Sequence, residues 1–189
     1  MIVNLLALVA VLAAIGLIAG YTLRFGNPPT PTSPKVRRAI LSTLPPLNEG
    51  NVYELGAGWG NLALALAAQD PDRPVIAVEA SPLPWLVARI WSAVSRKRNI
   101  SVLRRNFMEI GLSDAALIVC YLEGRTMATL APKLAQELAN GAFVVAHTFE
   151  IRGWTAQATA TAPDIYNTPI YVYRIPESLP DQSQKAPTD

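Results

Sequence analysis

The stretch that most constrains the fold is residues 52–61, which read Val-Tyr-Glu-Leu-Gly-Ala-Gly-Trp-Gly-Asn. A short apolar run enters Glu54, and three glycines spaced two apart follow it: Gly56, Gly58 and Gly60. Because glycine has no Cβ and accepts positive φ, the chain can turn sharply here and bring its backbone N–H groups close to a ligand. Residues 62–68, Leu-Ala-Leu-Ala-Leu-Ala-Ala, favour a helix directly after the turn. The order of strand, glycine turn and helix predicts a nucleoside-binding loop.

The glycine spacing indicates which nucleoside. A dinucleotide fingerprint has the spacing G-x-G-x-x-G, whereas this loop has G-x-G-x-G. A carboxylate at Glu54 would repel a pyrophosphate but would suit a ligand that carries an ammonium and a sulfonium, as S-adenosylmethionine does. A second apolar run ends in Glu79, where an acid is expected to bind the ribose hydroxyls. The alternative is a structural turn with an unrelated surface glutamate.

Beyond Glu79 the sequence alternates between helix-like and strand-like patterns. The helix-like segments are residues 82–98 and 125–138. The strand-like segments are residues 100–105, 115–122 and 142–149. This alternation predicts an α/β domain with a mostly parallel sheet, right-handed crossovers and helices on both faces. The final pair of strands, 157–161 and 169–175, has no helix between its members and predicts a C-terminal antiparallel hairpin at a sheet edge. Such a sheet resembles the class I methyltransferase fold, which is Rossmann-like.

Ligands of open α/β sheets bind beyond the carboxyl ends of the strands. Besides the two glutamates, this rule nominates the residues that follow the later strands: Asn106, Phe107, Tyr121, Glu123 and residues 148–150. We expect Asn106 and Phe107 to contact the adenine, although a loop asparagine can also be a turn residue. Tyr121 could line the methyl-acceptor slot or pack as an interfacial tyrosine. His147, the single histidine, lies inside a predicted strand, which favours a satisfied core residue over a catalytic base.

The N-terminus is apolar from residue 2 to about residue 22, apart from Asn4 and Tyr21. Roughly 20 helical residues at about 1.5 Å each cross a hydrocarbon layer of about 30 Å. We therefore expect residues 1–23 to form one transmembrane helix. A cleaved signal peptide is the alternative, but no Lys or Arg precedes the apolar run. Basic residues follow it, so the positive-inside rule predicts a single-pass membrane protein with its catalytic domain on the cytoplasmic face.

Three further segments complete the predicted organisation. The proline-rich residues 24–34 should form a semi-rigid linker. Residues 35–175 have the length of one domain, and the polar residues 176–189 should be a disordered tail.

Composition limits the partners. A formal net charge of +2 is too small to imply nucleic acid, and a single cysteine, Cys120, excludes a cysteine-based metal cluster. We expect neither a nucleic-acid partner nor a metal. Residues 96–105 concentrate positive charge, which suits a solvated helix end or, alternatively, contact with anionic lipid headgroups.

Three stretches together resemble a known family. They are the Glu-Leu-Gly-Ala-Gly-Trp-Gly loop at 54–60, the Val-Glu-Ala-Ser-Pro-Leu-Pro-Trp-Leu-Val run at 78–87 and the Thr-Phe-Glu-Ile-Arg-Gly-Trp run at 148–154. With the apolar N-terminus, they are similar to the membrane-anchored class I protein-lysine methyltransferases that modify the ATP synthase c-subunit and the adenine nucleotide translocase, and to their bacterial relatives. The resemblance spans most of the chain.

The resemblance implies S-adenosylmethionine-dependent methyl transfer to a lysine of a membrane or membrane-associated protein. The cofactor-binding set would be Glu54, Gly56, Gly58, Gly60, Glu79, Asn106 and Phe107. The catalytic candidates beside the acceptor are Tyr121, Glu150 and Trp154. Two other functions stay open at this point: a non-catalytic, membrane-tethered nucleoside-binding or interaction module, and an NAD(P)-binding oxidoreductase, which the glycine spacing disfavours.

Overall fold

The structure is a computed structural model that describes residues 2–25 and 30–179. Part of the predicted linker, residues 26–29, and most of the predicted tail, residues 180–189, lie outside the described residues.

A seven-stranded sheet forms the centre of the domain. Its strands are β1 (Asn51–Leu55), β2 (Val75–Val78), β3 (Ile100–Leu103), β4 (Ala115–Cys120), β5 (Phe143–His147), β6 (Ala158–Thr161) and β7 (Pro169–Arg174). Their spatial order is β3-β2-β1-β4-β5-β7-β6. The first five strands in that order are parallel, and β7 runs antiparallel to both of its neighbours. The predicted parallel sheet with a terminal antiparallel hairpin is therefore confirmed.

The helices of the described residues are α1 (Ile2–Phe25), α2 (Pro34–Thr43), α3 (Asn61–Gln69), α4 (Pro82–Val94) and α5 (Gly124–Glu137). The sequence analysis missed α2, although its start is a regular one. Pro34 occupies the first turn, where its missing N–H costs nothing. The Ser33 hydroxyl oxygen accepts a hydrogen bond of 3.3 Å from the Val36 amide. Val36 and Ile40, four residues apart, point into the core.

The core consists of two apolar layers, one on each face of the sheet. Strand β4 is buried along its whole length and serves both layers. Leu117 and Val119 join the layer that contains α2 and α3. Ile118 and Cys120 join the layer that contains α5. Because successive strand residues point to opposite faces, a continuously apolar strand must be covered on both sides, as it is here.

The N-terminal segment differs from the expectation. Helix α1 covers the predicted segment from Ile2 onward, but a search of residues 2–25 and 30–179 finds no helix that combines the length and apolarity needed to cross a bilayer. The predicted transmembrane helix over residues 1–23 is therefore not supported by the structure.

The predicted tail begins too early. Ser178, placed in the tail, is buried. Its hydroxyl oxygen accepts a hydrogen bond of 3.0 Å from the Arg174 amide, and its carbonyl accepts one of 3.0 Å from the Thr155 amide. Residues 176–179 form a turn that closes against the domain, because a short polar segment can still be ordered when its backbone groups find partners.

Candidate cofactor and acceptor site

The glycine loop joins β1 to α3 in the predicted order of strand, turn and helix. Its three glycines have φ values of +74° (Gly56), +52° (Gly58) and +79° (Gly60). The amides of Gly56 and Ala57 both donate to the Val78 carbonyl, at 2.9 and 3.0 Å. The loop therefore folds over the carboxyl end of β2, which is where the sheet presents Glu79.

Two of these glycines are also required by close packing. A Cβ on Gly60 would lie 2.8 Å from the Cβ of Ala88 on α4. A Cβ on Gly56 would lie 2.9 Å from the side chain of Leu122, just beyond β4. Such distances are shorter than van der Waals contact allows, and positive φ adds further strain for any other residue. The loop is thus fixed in shape by its neighbours.

Glu79 holds the loop. It is buried, and its Oε2 accepts a hydrogen bond of 2.8 Å from the Gly58 amide. Its Oε1 accepts one of 2.7 Å from the Ser81 amide. A carboxylate has about four acceptor positions, so two remain for hydroxyl donors. This geometry fits the predicted bonds to a ribose diol and adds a structural role that the sequence analysis did not foresee.

Glu54 is a buried carboxyl group with one oxygen unsatisfied. Its side chain is 5% exposed, and its Oε2 has no hydrogen-bond partner. Burial raises the pKa of Glu54 to about 8; the Ala63 backbone amide opposes the increase, and the negative charge of Glu79 adds to it. An orphaned buried acid is costly to the protein alone and calls for a partner. A cationic ligand would supply that partner, so Glu54 fits S-adenosylmethionine.

Asn106 and Phe107 follow β3, as predicted, but their side chains have local tasks. The Asn106 Oδ1 accepts a hydrogen bond of 3.0 Å from the Met108 amide and caps a short 3₁₀ helix, Phe107–Glu109. Phe107 is half-buried against the core layer that contains α5. The turn role that the sequence left open for Asn106 is thus present, and the predicted contact with adenine stays a prediction for both residues.

Beyond β4 and β5 lies an aromatic stack. The Tyr121 ring lies on the His147 ring, with centroids 4.4 Å apart and an interplanar angle of 23°. The Tyr121 and Phe149 ring centroids are 6.3 Å apart, and these two rings are nearly parallel. Tyr121 is half-buried and Phe149 is exposed. This stack gives the sheet edge an apolar, ring-lined surface beside the glycine loop.

His147 is buried in this stack. Its Nδ1 lies 3.2 Å from the Thr148 hydroxyl, whereas its Nε2 has no hydrogen-bond partner. Burial lowers the pKa of His147 to about 4, so the ring is neutral near pH 7. The expected core position is correct, but the ring is only partly satisfied.

Thr148 has an unusual backbone. Its φ is +71°, in the left-handed region that β-branched residues strongly avoid. Its amide donates to the Pro169 carbonyl on β7 at 2.9 Å, which helps to hold the conformation. Strain of this kind costs about 1–3 kcal/mol and tends to occur at functional sites. Here it turns the chain out of β5 so that Phe149 and Glu150 emerge at the carboxyl edge of the sheet.

Glu150 and Trp154, the other predicted catalytic residues, lie on the segment after β5. Glu150 is exposed. Trp154 is half-buried and meets the Tyr173 ring edge-on, with centroids 5.7 Å apart. The Tyr173 hydroxyl accepts a hydrogen bond of 2.9 Å from the Ile151 amide and so fixes this segment. The sequence analysis missed this role of Tyr173, because a tyrosine inside a strand gives no signal of what its hydroxyl binds.

Asn61 is a second residue that the sequence analysis did not assign. It starts α3, and its side-chain amide donates to the Thr32 carbonyl at 3.0 Å. Thr32 is buried, although it belongs to the predicted linker. The chain that leads to α2 is therefore attached to the end of the glycine loop.

Comparisons with known proteins agree with this geometry. The sequence profile described as the ANTKMT methyltransferase domain matches residues 54–158. A protein-lysine N-methyltransferase of Saccharolobus islandicus is 31% identical over 157 residues, which are 79% of this chain and 94% of that protein. A ribosomal protein L11 methyltransferase of Pelotomaculum thermopropionicum is 34% identical over 102 residues, but these are only 32% of its length.

The crystal structure of an RNA methyltransferase from Salinibacter ruber in complex with S-adenosyl-L-homocysteine superposes with a TM-score of 0.70 at 25% identity. The match covers 80% of this chain and 97% of that one. Fold, loop and comparisons together define a class I S-adenosylmethionine-dependent methyltransferase. Within that class, the chain belongs to the family of the ANTKMT methyltransferase domain. The enzyme and cofactor predictions are confirmed, and the non-catalytic and oxidoreductase alternatives are discarded.

Proposed function

We propose that the enzyme transfers a methyl group to the side-chain amine of a lysine in a protein at a membrane. The observation that carries the proposal is the stack of Tyr121, His147 and Phe149, which lies at the same sheet edge as the glycine loop and Glu79. The relative that is 31% identical is a protein-lysine N-methyltransferase, which supports the proposal.

The bound cofactor supplies an electrophilic methyl group on a sulfonium. The lysine nitrogen must reach it as a neutral amine, form the new C–N bond as the C–S bond breaks, and lose a proton. Alignment and exclusion of water provide most of the rate in such a displacement. The ring surface of Tyr121 and Phe149 is apolar and disfavours the ammonium form. Glu150 is exposed, so it can attract the cationic side chain as it arrives.

Trp154 and Tyr121 would line the acceptor slot. Tyr121 contributes a ring face, and Trp154 is held in place by its contact with Tyr173. The proposal predicts that Tyr121→Ala lowers kcat at least tenfold by opening the slot to water, whereas Tyr121→Phe keeps most of the rate because the ring is retained. Equal rates for Tyr121→Ala and wild type would remove Tyr121 from the acceptor site.

We also propose that α1 attaches the enzyme to a membrane in a single-pass arrangement, with the catalytic domain on the cytoplasmic face. Seven large apolar side chains of α1 are exposed: Leu5, Leu6, Leu8, Val9, Val11, Leu12 and Ile15. A helix that is apolar all round requires an apolar environment. Basic residues on its C-terminal side, Lys35, Arg37 and Arg38 among them, support this orientation.

The acceptor is identified by incubating the full-length enzyme with native membranes and isotope-labelled S-adenosylmethionine. We expect mass spectrometry to find the label on the Nζ atom of a lysine in a protein. Label in a lipid amine, in RNA or in a small molecule would contradict the proposed acceptor while leaving the methyltransferase activity intact. The Tyr121→Ala variant serves as the control for transfer at this site.

Flotation tests the attachment. The full-length chain should float with uncharged phosphatidylcholine vesicles, whereas a chain that starts at residue 30 should not. Extraction at alkaline pH then distinguishes a spanning helix, which stays with the bilayer, from a helix that lies on its surface and is released. Equal flotation of the two chains would refute attachment through α1.

A further inference from the structure

Helix α4 has its small side chains inside and its large apolar side chains outside. Pro84 and Ala88, four residues apart, are buried toward the domain. The opposite side, called here the outer face of α4, consists of four exposed apolar residues: Leu86 (46%), Ile90 (53%), Trp91 (56%) and Val94 (60%). A helix on the surface of a soluble domain normally shows the reverse pattern. A contiguous exposed apolar face of this kind marks an interaction surface.

Positive charge is concentrated in and directly after α4. Between Glu79 and Glu109 the sequence has six basic residues and no acidic one. These six residues form the basic rim: Arg89, Arg96, Lys97, Arg98, Arg104 and Arg105. The ion pairs found in the described part of the chain involve other residues. Arg89 and Arg104 both lie against the Trp85 ring, at 5.8 and 6.0 Å from its centroid, which holds two of the charges beside α4.

The combination of face and rim matches one kind of partner. An anionic bilayer offers phosphates to the rim and hydrocarbon to the outer face, and a tryptophan such as Trp91 suits the boundary between them. A nucleic acid would satisfy the rim but would leave Leu86, Ile90 and Val94 facing a polar backbone. Helix α1, for which we propose membrane attachment, contacts α4, and the outer face of α4 is nevertheless exposed.

We propose that the outer face of α4 and the basic rim dock on the surface of an anionic lipid bilayer, as a second membrane contact beside α1. This inference rests on the proposed attachment. The two contacts together would fix the orientation of the domain relative to the bilayer.

A fluorescent label on the outer face tests the docking in the full-length protein. The natural thiol, Cys120, is buried, and burial raises its pKa to about 12, so it should not react and can be left in place. Ile90→Cys receives the label, and Ala128→Cys, at an exposed position on α5, is the matched control. Vesicles contain phosphatidylcholine with about one-fifth phosphatidylserine and a lipid-borne quencher.

We expect the label at position 90 to be quenched on these vesicles and the label at position 128 to stay bright. Flotation without quenching at position 90 would refute the docking while the attachment by α1 stands. Failure to float would refute both. If RNA or self-association shields the label at position 90 from solvent while vesicles do not quench it, the docking is also refuted. The face would then bind another partner.

The charge requirement is tested separately on the labelled protein. Arg98→Glu with Arg105→Glu should lower the equilibrium constant for docking, read from the quenching, by about fivefold or more for each arginine replaced. Arg125→Glu with Arg152→Glu changes the net charge equally, away from α4, and should leave the quenching unchanged. An equal effect of the two pairs, or quenching that is independent of phosphatidylserine, would refute the role of the basic rim.

Discussion

Replacing Glu54 by glutamine should stabilise the free enzyme and weaken its cofactor binding. The folded protein without ligand keeps Glu54 protonated up to about pH 8, because the side chain is buried with Oε2 unsatisfied. In the unfolded chain the same group has its ordinary pKa of 4.5. The folded state therefore binds more protons between these values, and stability falls as the pH rises through this window.

The size of this effect follows from the shift. One unit of pKa corresponds to about 1.4 kcal/mol, so the full loss is about 5 kcal/mol, of which roughly 3 to 4 kcal/mol falls between pH 5 and pH 8. Glu54→Gln removes the titration and should lack this slope. Urea unfolding of both proteins at the two pH values measures it. Glu49→Gln, at an exposed glutamate, is the matched control and should follow the wild type.

Cofactor binding should show the opposite dependence on pH. A cation beside Glu54 favours its ionised form, so binding at pH 7 should release about 0.9 proton from a group with a pKa of about 8. Affinity should then rise up to about tenfold per unit of pH and level off above pH 8. Glu54→Gln should bind about 10- to 100-fold more weakly at pH 8, without the slope.

Isothermal titration of S-adenosylmethionine in buffers of different ionisation enthalpy measures affinity and proton release together. The reasoning fails if Glu54→Gln binds as tightly as wild type with the same pH profile. It also fails if the wild type releases no proton at pH 7, since Glu54 would then be ionised already or would not contact the cation.

Three other changes test the remaining parts of the site. Glu79→Gln should weaken cofactor binding about 10- to 100-fold in the same titration, because charge-assisted bonds to the ribose and to the Gly58 amide are lost; unchanged affinity would exclude Glu79 from the pocket. Gly60→Ala should cost about 2 kcal/mol or more of unfolding free energy, since its Cβ meets α4 at positive φ, whereas Gly111→Ala, which has open space around it, should cost little in the same urea titration. The stability that neutral His147 provides is present above pH 6.5 and is lost as the pH falls toward 4, so wild type should lose about 3 kcal/mol more than His147→Phe over that range; parallel curves would contradict its burial as a neutral ring.

The local patterns in the sequence were sufficient to predict the sheet and the glycine loop. Periodicity and the position of the glycines depend on near neighbours in the chain, and β4 shows this well, because a run of six apolar residues has few other solutions in an α/β domain. Helix α2 was missed because its apolar positions are few and its sequence is interrupted by basic residues. Its evident start at Ser33 and Pro34 was overlooked within a proline-rich segment.

The contacts inside the site depend on tertiary structure and could not be predicted in the same way. Nothing near Asn61 in the sequence indicates that its amide binds the Thr32 carbonyl, 29 residues away. The bonds of Glu79 to the Gly58 and Ser81 amides require the loop and the end of β2 to be in place first. The apolar residues of α4 gave a helical pattern, but the pattern alone could not reveal that the large side chains point outward.

The hydrogen bond between Asn61 and Thr32 limits how far the glycine loop can lie from the end of α1. Six residues lie between the last residue of α1, Phe25, and Thr32, so even a fully extended chain spans at most about 25 Å between them. With α1 in a bilayer, as proposed, the short linker keeps the catalytic edge close to the membrane. Only amines within that distance of the lipid can then be modified. Inserting residues between α1 and Thr32 would let the enzyme reach amines farther from the membrane without altering the pocket.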